Sequence, residues 1–214
     1  TNKHHGEQYD SPAEKRVYYF EDQRSYHTLK TGWVHDGGHW YYLQKDGGFD
    51  SRINRLTVGE LARGWVKDFP LTYDEDKLKA APWYYLDPTT ATMQTGWQYL
   101  GNKWYYLRSS GAMATGWYQD GSTWYYLDAE NGDMKTGWAS INGYWYYLRS
   151  SGAMATGWLQ DGSTWYYLNA SNGDMKTGWF QVNGKWYYAY NSGALAVNTT
   201  VGGYYVNYNG EWIQ

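Results

Sequence analysis

The stretch "TGWYQDGSTWYYLDAENGDMK", Thr115–Lys135, is followed at Thr136 by "TGWASINGYWYYLRSSGAMA", and variants of the two forms return at Thr156 and Thr177. Outward from this pair, the triplet Trp-Tyr-Tyr begins at Trp40, Trp83, Trp104, Trp124, Trp145, Trp165 and Trp186, each time after a Gly-Trp. From Trp83 onward the steps are 21, 20, 21, 20 and 21 residues. A unit that short is no domain. It is one supersecondary element that must stack on copies of itself to bury apolar surface. A return loop Arg-Ser-Ser-Gly-Ala-Met alternates with one a residue longer, Asp-Ala-Glu-Asn-Gly-Asp-Met, which accounts for the alternating step.

Asp120-Gly121, Asn142-Gly143, Asp161-Gly162 and Asn183-Gly184 lie between the aromatic runs. Such pairs are the strongest short hairpin signal. The chain is therefore predicted to be all-β, a solenoid of stacked β-hairpins, since a lone hairpin is marginal in water. A two-residue turn at Asp120-Gly121 would set Trp117 directly opposite Trp124. In the Asn-Gly units the turn pair falls one residue later, and the same pairing calls for a longer or bulged loop, which the residues alone do not decide.

Strand side chains alternate between faces. Trp124 and Tyr125 therefore point oppositely, and the first Tyr of one triplet is predicted to face the Trp pair of the preceding hairpin. All five methionines (Met93, Met113, Met134, Met154, Met175) occupy one slot, nine or ten residues after a triplet tryptophan. Leu195 takes that slot in the fifth regular unit and Phe49 is expected to take it in the first. A thioether suits the floor of an aromatic cavity. The second Tyr of each triplet (Tyr106, Tyr126, Tyr147, Tyr167) is read as core. A cage of electron-rich rings with no carboxylate in the motif fits a quaternary ammonium, which donates no hydrogen bond and is drawn to ring faces. Choline is the simplest example.

Composition agrees. The 214 residues include 15 Trp and 26 Tyr against 4 Phe, so the aromatics of choice carry a polar edge suited to half-exposed packing. With no cysteine there is neither a disulfide framework nor a thiolate metal site. The net charge of −3 comes with no basic stripe, which argues against nucleic acid. No apolar run reaches the length of a membrane span. The five histidines are all N-terminal and lack ligand spacing, so no metal is expected. Asp74-Glu75-Asp76 reads as a solvated helix start, and no catalytic constellation emerges.

The organisation is read as a degenerate N-terminal cap (1–30, with a Tyr18-Tyr19-Phe20 echo), divergent repeats with two inserts (31–94), regular repeats (95–190) and a capping hairpin (191–214). Thr57…Glu60 and Thr72…Glu75 stand at capping-box spacing, which predicts short helices in the inserts.

These units resemble the choline-binding repeats of pneumococcal surface proteins through the pattern Gly-Trp, a seven-residue step, Trp-Tyr-Tyr, Gly-Ala-Met and Thr-Gly-Trp. The likeness runs from Thr31 to Gly193. It implies a superhelical solenoid binding choline or phosphocholine, with no cofactor. It also implies sites made of the two tryptophans of one repeat, the next triplet's first Tyr and the intervening Met. Carried onto this chain, the sets are Trp97, Trp104, Met113 and Tyr125; Trp117, Trp124, Met134 and Tyr146; Trp138, Trp145, Met154 and Tyr166; Trp158, Trp165, Met175 and Tyr187. A further set, Trp65, Trp83, Met93 and Tyr105, matches in residue type. Two looser sets are Trp33 and Trp40 with Phe49 and Tyr84, and Trp179 and Trp186 with Leu195 and a Tyr near Tyr205. The implied partners are choline-decorated teichoic and lipoteichoic acids at a Gram-positive surface. The inserts and the ending further resemble the module of a secreted endo-β-N-acetylglucosaminidase of cell separation, whose catalytic domain would lie C-terminal in the parent chain. A glucan-binding aromatic repeat is the alternative.

Overall fold

Two kinds of two-residue turn close the regular hairpins, and both give one register. In the computed structural model Asn142 (φ 52°) and Gly143 (φ 83°) are both left-handed, the type I′ pattern. Gly121 (φ 59°) opens the other kind, with Ser122 outside the left-handed region, the II′ pattern that requires glycine first. The turn in the Asp-Gly units is therefore Gly121-Ser122. Asp120 and Asp161 are strand residues, paired with Thr123 and Thr164. This corrects the expected turn position, and no bulge is needed in the Asn-Gly units. Trp117 stands opposite Tyr126 and Trp124 opposite Gln119, so the two tryptophans share a face diagonally rather than directly.

The described residues are 8–11 and 14–17 (backbone only), 30–45, 59–70 and 74–213. They fall into two compact units that meet in sequence at Ala114 and Thr115. The first holds β1 (Gln8–Ser11), β2 (Glu14–Val17), β3 (Gly32–Asp36), β4 (His39–Leu43), β5 (Gly64–Lys67), α1 (Glu75–Ala80), β6 (Trp83–Leu86), β7 (Gly96–Leu100) and β8 (Lys103–Leu107). The second holds β9 (Gly116–Asp120), β10 (Thr123–Leu127), β11 (Gly137–Ile141), β12 (Tyr144–Leu148), β13 (Gly157–Asp161), β14 (Thr164–Leu168), β15 (Gly178–Val182), β16 (Lys185–Ala189), β17 (Thr199–Val201) and β18 (Tyr204–Val206). Each strand pairs with its hairpin partner alone, so among the described residues every sheet is two-stranded.

Stability has to come from the stack, and its core is a ladder of one leucine per hairpin. Leu43, Leu86, Leu107, Leu127, Leu148 and Leu168, each just after a triplet, are completely buried. Fully burying such a side chain contributes roughly 1.5–3 kcal/mol. Each leucine bridges the loop that follows it, as in Leu148 with Met154 and Leu168 with Met175. The second tyrosines are not that core. Tyr126, Tyr147 and Tyr167 are half-buried beside the Gly-Trp tryptophans, edge-on at 5.1, 5.2 and 5.0 Å between ring centroids. The alternating loop length is visible as hydrogen bonding: Gly152 N–H closes three residues back on the Arg149 carbonyl, whereas Gly132 N–H closes four back on Asp128.

The inserts depart from expectation. Helix α1 is capped by Asp74, whose Oδ1 accepts from the N–H groups of Asp76 (3.1 Å) and Lys77 (3.3 Å), and Glu75 is its first residue rather than the third. Thr57, Thr72, Phe49 and the Tyr18-Tyr19-Phe20 echo lie outside the described residues. Glu60 does not open a helix. Its carbonyl accepts from Gln44 N–H, and Leu61 bridges Leu43, which puts Leu61 in the methionine slot that Phe49 was expected to fill.

Candidate functional site

Since Trp117 and Trp124 lie diagonally on one hairpin face, their rings meet at 6.4 Å and 84°, a corner rather than a stack. Tyr146, from the opposite face of the next hairpin, closes a third side at 4.8 Å from Trp117. The contact between a Gly-Trp tryptophan and a tyrosine of the next hairpin recurs wherever one unit contains both hairpins. Trp138 meets Tyr166 at 4.7 Å. Trp158 meets Trp165 at 6.4 Å and Tyr187 at 4.8 Å. In the first unit Trp65 meets Tyr105 at 4.9 Å and Trp33 meets Tyr84 at 4.6 Å. Trp97 and Trp104 repeat the corner at 6.5 Å, while Tyr125, grouped with them in sequence, belongs to the second unit.

The floor residue is displaced by one repeat from the sequence grouping. After each hairpin the chain runs back past its own leucine, and the next N–H donates to the triplet tryptophan of the hairpin before. Met154 N–H thus reaches the Trp124 carbonyl (2.7 Å), Met175 that of Trp145 (2.8 Å) and Leu195 that of Trp165 (2.8 Å). Met93 reaches Trp40 and Met113 reaches Trp83 in the same way. Met154 therefore belongs with Trp117, Trp124 and Tyr146, and Met175 with Trp138, Trp145 and Tyr166. Met113 belongs with Trp65, Trp83 and Tyr105, and Met93 with Trp33, Trp40 and Tyr84. The Met134 side chain lies under Gly152 of the next loop. At the C-terminal end Trp212 N–H donates to the Trp186 carbonyl (2.8 Å), so a tryptophan, not Leu195, stands at the Trp179–Trp186 pair. Tyr204 closes that corner at 5.8 Å from Trp179 and 5.6 Å from Trp212. The signal for Trp212 was its spacing: it follows Val206 as Met154 follows Leu148.

The cages are open. The triplet tryptophans Trp40, Trp104, Trp124, Trp145, Trp165 and Trp186 keep 39–47% of their surface exposed, too much for rings serving only as core. Their walls differ in charge. Trp138 Nε1 donates to Asp161 Oδ2 at 2.9 Å. Trp33 Nε1 (3.0 Å), Tyr42 OH (2.9 Å) and Lys45 Nζ (2.6 Å) converge on Asp68. Burial raises the Asp68 pKa, but those donors outweigh it and hold the carboxyl below its ordinary range. Burial, and then the Asp68 carboxylate, push the Tyr42 phenol up. At the insert-bearing hairpin, Lys67 Nζ donates to the Lys79 carbonyl and lies 5.7 Å from the Trp83 ring centroid, so that ring already carries a cation. Among the described residues no cluster of His, Cys, Asp or Glu could hold a metal ion.

The family model described as "Choline-binding repeat" matches residues 94–136 and 135–180, and one described as "Putative cell wall binding repeat" matches 31–49 and 177–195. Among solved structures, CbpJ of Streptococcus pneumoniae is 66% identical over 94% of this chain, with a TM-score of 0.80. CbpF in complex with ipratropium is 64% identical over 97% of the chain (TM-score 0.83). The choline-binding domain of CbpL from S. pneumoniae is 34% identical over 86% of the chain and 98% of its own length (TM-score 0.52). The chain spans only 63–66% of the CbpJ and CbpF chains. No curated protein matches. The chain belongs to the choline-binding repeat family.

Proposed function

We propose that the chain is a non-catalytic anchoring module that binds the phosphocholine groups of teichoic and lipoteichoic acids on a Gram-positive surface. The observation that carries this is the open corner of rings between consecutive hairpins, with an apolar floor and no ring face lost to a resident group at Trp117, Trp138 or Trp158. Each ring contributes roughly 0.5–2 kcal/mol to holding a quaternary nitrogen. A single cage is then about millimolar, or about −4 kcal/mol. Teichoic acid repeats its choline along one polymer, and simultaneous engagement of several cages raises avidity by roughly 10²–10⁴. Ipratropium, the ligand in the CbpF complex, itself carries a quaternary nitrogen, which supports the reading. The resemblance of the inserts extends it to a secreted glucosaminidase of daughter-cell separation, with the catalytic domain joined C-terminally. The chain is expected to stay on a choline-bearing resin and to leave when free choline is added. Passage through the resin unretained would end this reading.

A further inference from the structure

Of the five cages whose walls lie within one unit and whose rings carry no lysine, four, at Trp33, Trp117, Trp138 and Trp158, have one acidic side chain behind those rings, delivered in one of two ways. At Trp138 and Trp33 it arrives at the indole N–H. Asp161 and Asp68 are each the third residue after the Gly-Trp tryptophan of the following hairpin, and each accepts from Nε1 at 2.9 and 3.0 Å. At Trp117 and Trp158 the corresponding residues are Ile141 and Val182, which cannot accept. There the acid arrives at the tyrosine. The bond from Met175 N–H to the Trp145 carbonyl lays Asp174 beside Tyr146, and the bridge of Tyr187 to Glu211 lays Glu211 beside Tyr187. Burial first, and then these carboxylates, raise both phenol pKa values. The slots beside Tyr166 and Tyr84 hold Ala194 and Ala112 instead. No cage of the four has both acids.

The four charges are not equivalent. Lys45 neutralises Asp68 and Lys185 neutralises Glu211, each at 2.6 Å. Asp161 and Asp174 enter no ion pair among the described residues. One carboxylate oxygen of Asp174 is buried without a hydrogen-bond donor.

We infer that these cages are two-part sites. The rings and floor select the shape of a trimethylated headgroup, and the acid behind them selects its positive charge, most strongly at the Trp138 cage through Asp161 and at the Trp117 cage through Asp174. This rests on the choline reading above. The pairing has a direct electrostatic basis: a carboxylate one layer behind the rings attracts a cation, and one bonded to an indole N–H also enriches the ring face presented to it.

The test compares choline with 3,3-dimethylbutan-1-ol, a neutral molecule of the same shape in which carbon replaces nitrogen. Indole N–H resonances of Trp138 and Trp117 report each cage separately. In Asp161→Asn, choline binding at the Trp138 cage is expected to weaken about two- to fivefold, the range for an exposed, screened charge. Binding of the neutral alcohol there should not change, and Asp161→Glu should restore choline. Asp174→Asn should do the same at the Trp117 cage alone. Equal loss of both ligands would make Asp161 and Asp174 mere ring supports and overturn the inference, as would no loss of either. Failure of the unsubstituted chain to bind choline would overturn the choline reading itself, and is distinguishable because it precedes any substitution.

Discussion

Alanine at Gly152 is expected to destabilise the second unit by about 2–5 kcal/mol. Gly152 has φ +83°, a conformation that costs an L-residue roughly 1–2 kcal/mol. An added Cβ would also collide with Met134 Sδ and lie 2.7 Å from its Cε and 2.9 Å from its Cγ. Forcing such a contact in a packed site costs about 1–3 kcal/mol more. Gly143 is the control. Its φ of +83° matches that of Gly152, but a Cβ there would meet nothing within 4 Å, so Gly143→Ala should show the backbone cost alone. Urea unfolding of the full chain measures both. Equal effects of the two substitutions would mean that the loop glycine does not seat the thioether of the preceding repeat. The same seat recurs at Gly111 over Met93, Gly173 over Met154 and Gly193 over Met175, so one test speaks for the array.

Replacing Trp138 with alanine is expected to lower the choline stoichiometry by one and to cost about 3 kcal/mol of stability. That is the low end of the range for losing a large aromatic, because the ring is only half-buried. Trp138 packs edge-on against Tyr147 at 5.2 Å and Tyr166 at 4.7 Å, so its removal opens the junction between two hairpins. In a stack held by nearest-neighbour contacts, that junction cannot be compensated from elsewhere. Titration calorimetry gives the stoichiometry and urea unfolding the stability. An unchanged number of sites in a folded variant would remove Trp138 from any cage.

The period of 20 or 21 residues and the Gly-containing turns make the hairpin architecture legible in the sequence, and strand alternation alone places Tyr146 against Trp117. Three features were not legible, each for a physical reason. Register depends on which residue takes positive φ. Asp120-Gly121 and Asn142-Gly143 look alike as letters, yet the first turn uses glycine in its first position and the second uses it in its second. The floor residue was assigned one repeat too early because every offset in a regular array looks the same; only the bond from Met154 to Trp124 distinguishes them. The acid at Trp138 was hidden for a related reason. Beside Gly162, Asp161 reads as a turn residue, but as the last residue of β13 it reaches the indole of the hairpin before. Where the repeat is broken, the reading was weakest: Leu61 holds the methionine slot at a position the regular spacing does not mark, and Trp212 keeps the spacing but not the residue type.

The most direct measurement is a crystal of the chain grown with choline at concentrations well above its millimolar affinity. Choline is expected in the corner formed by Trp117, Trp124 and Tyr146, its nitrogen within about 6 Å of the ring centroids and its methyl groups against Met154. Rings closed on one another there, and in the Trp138 and Trp158 corners, with choline absent from all three, would contradict the account.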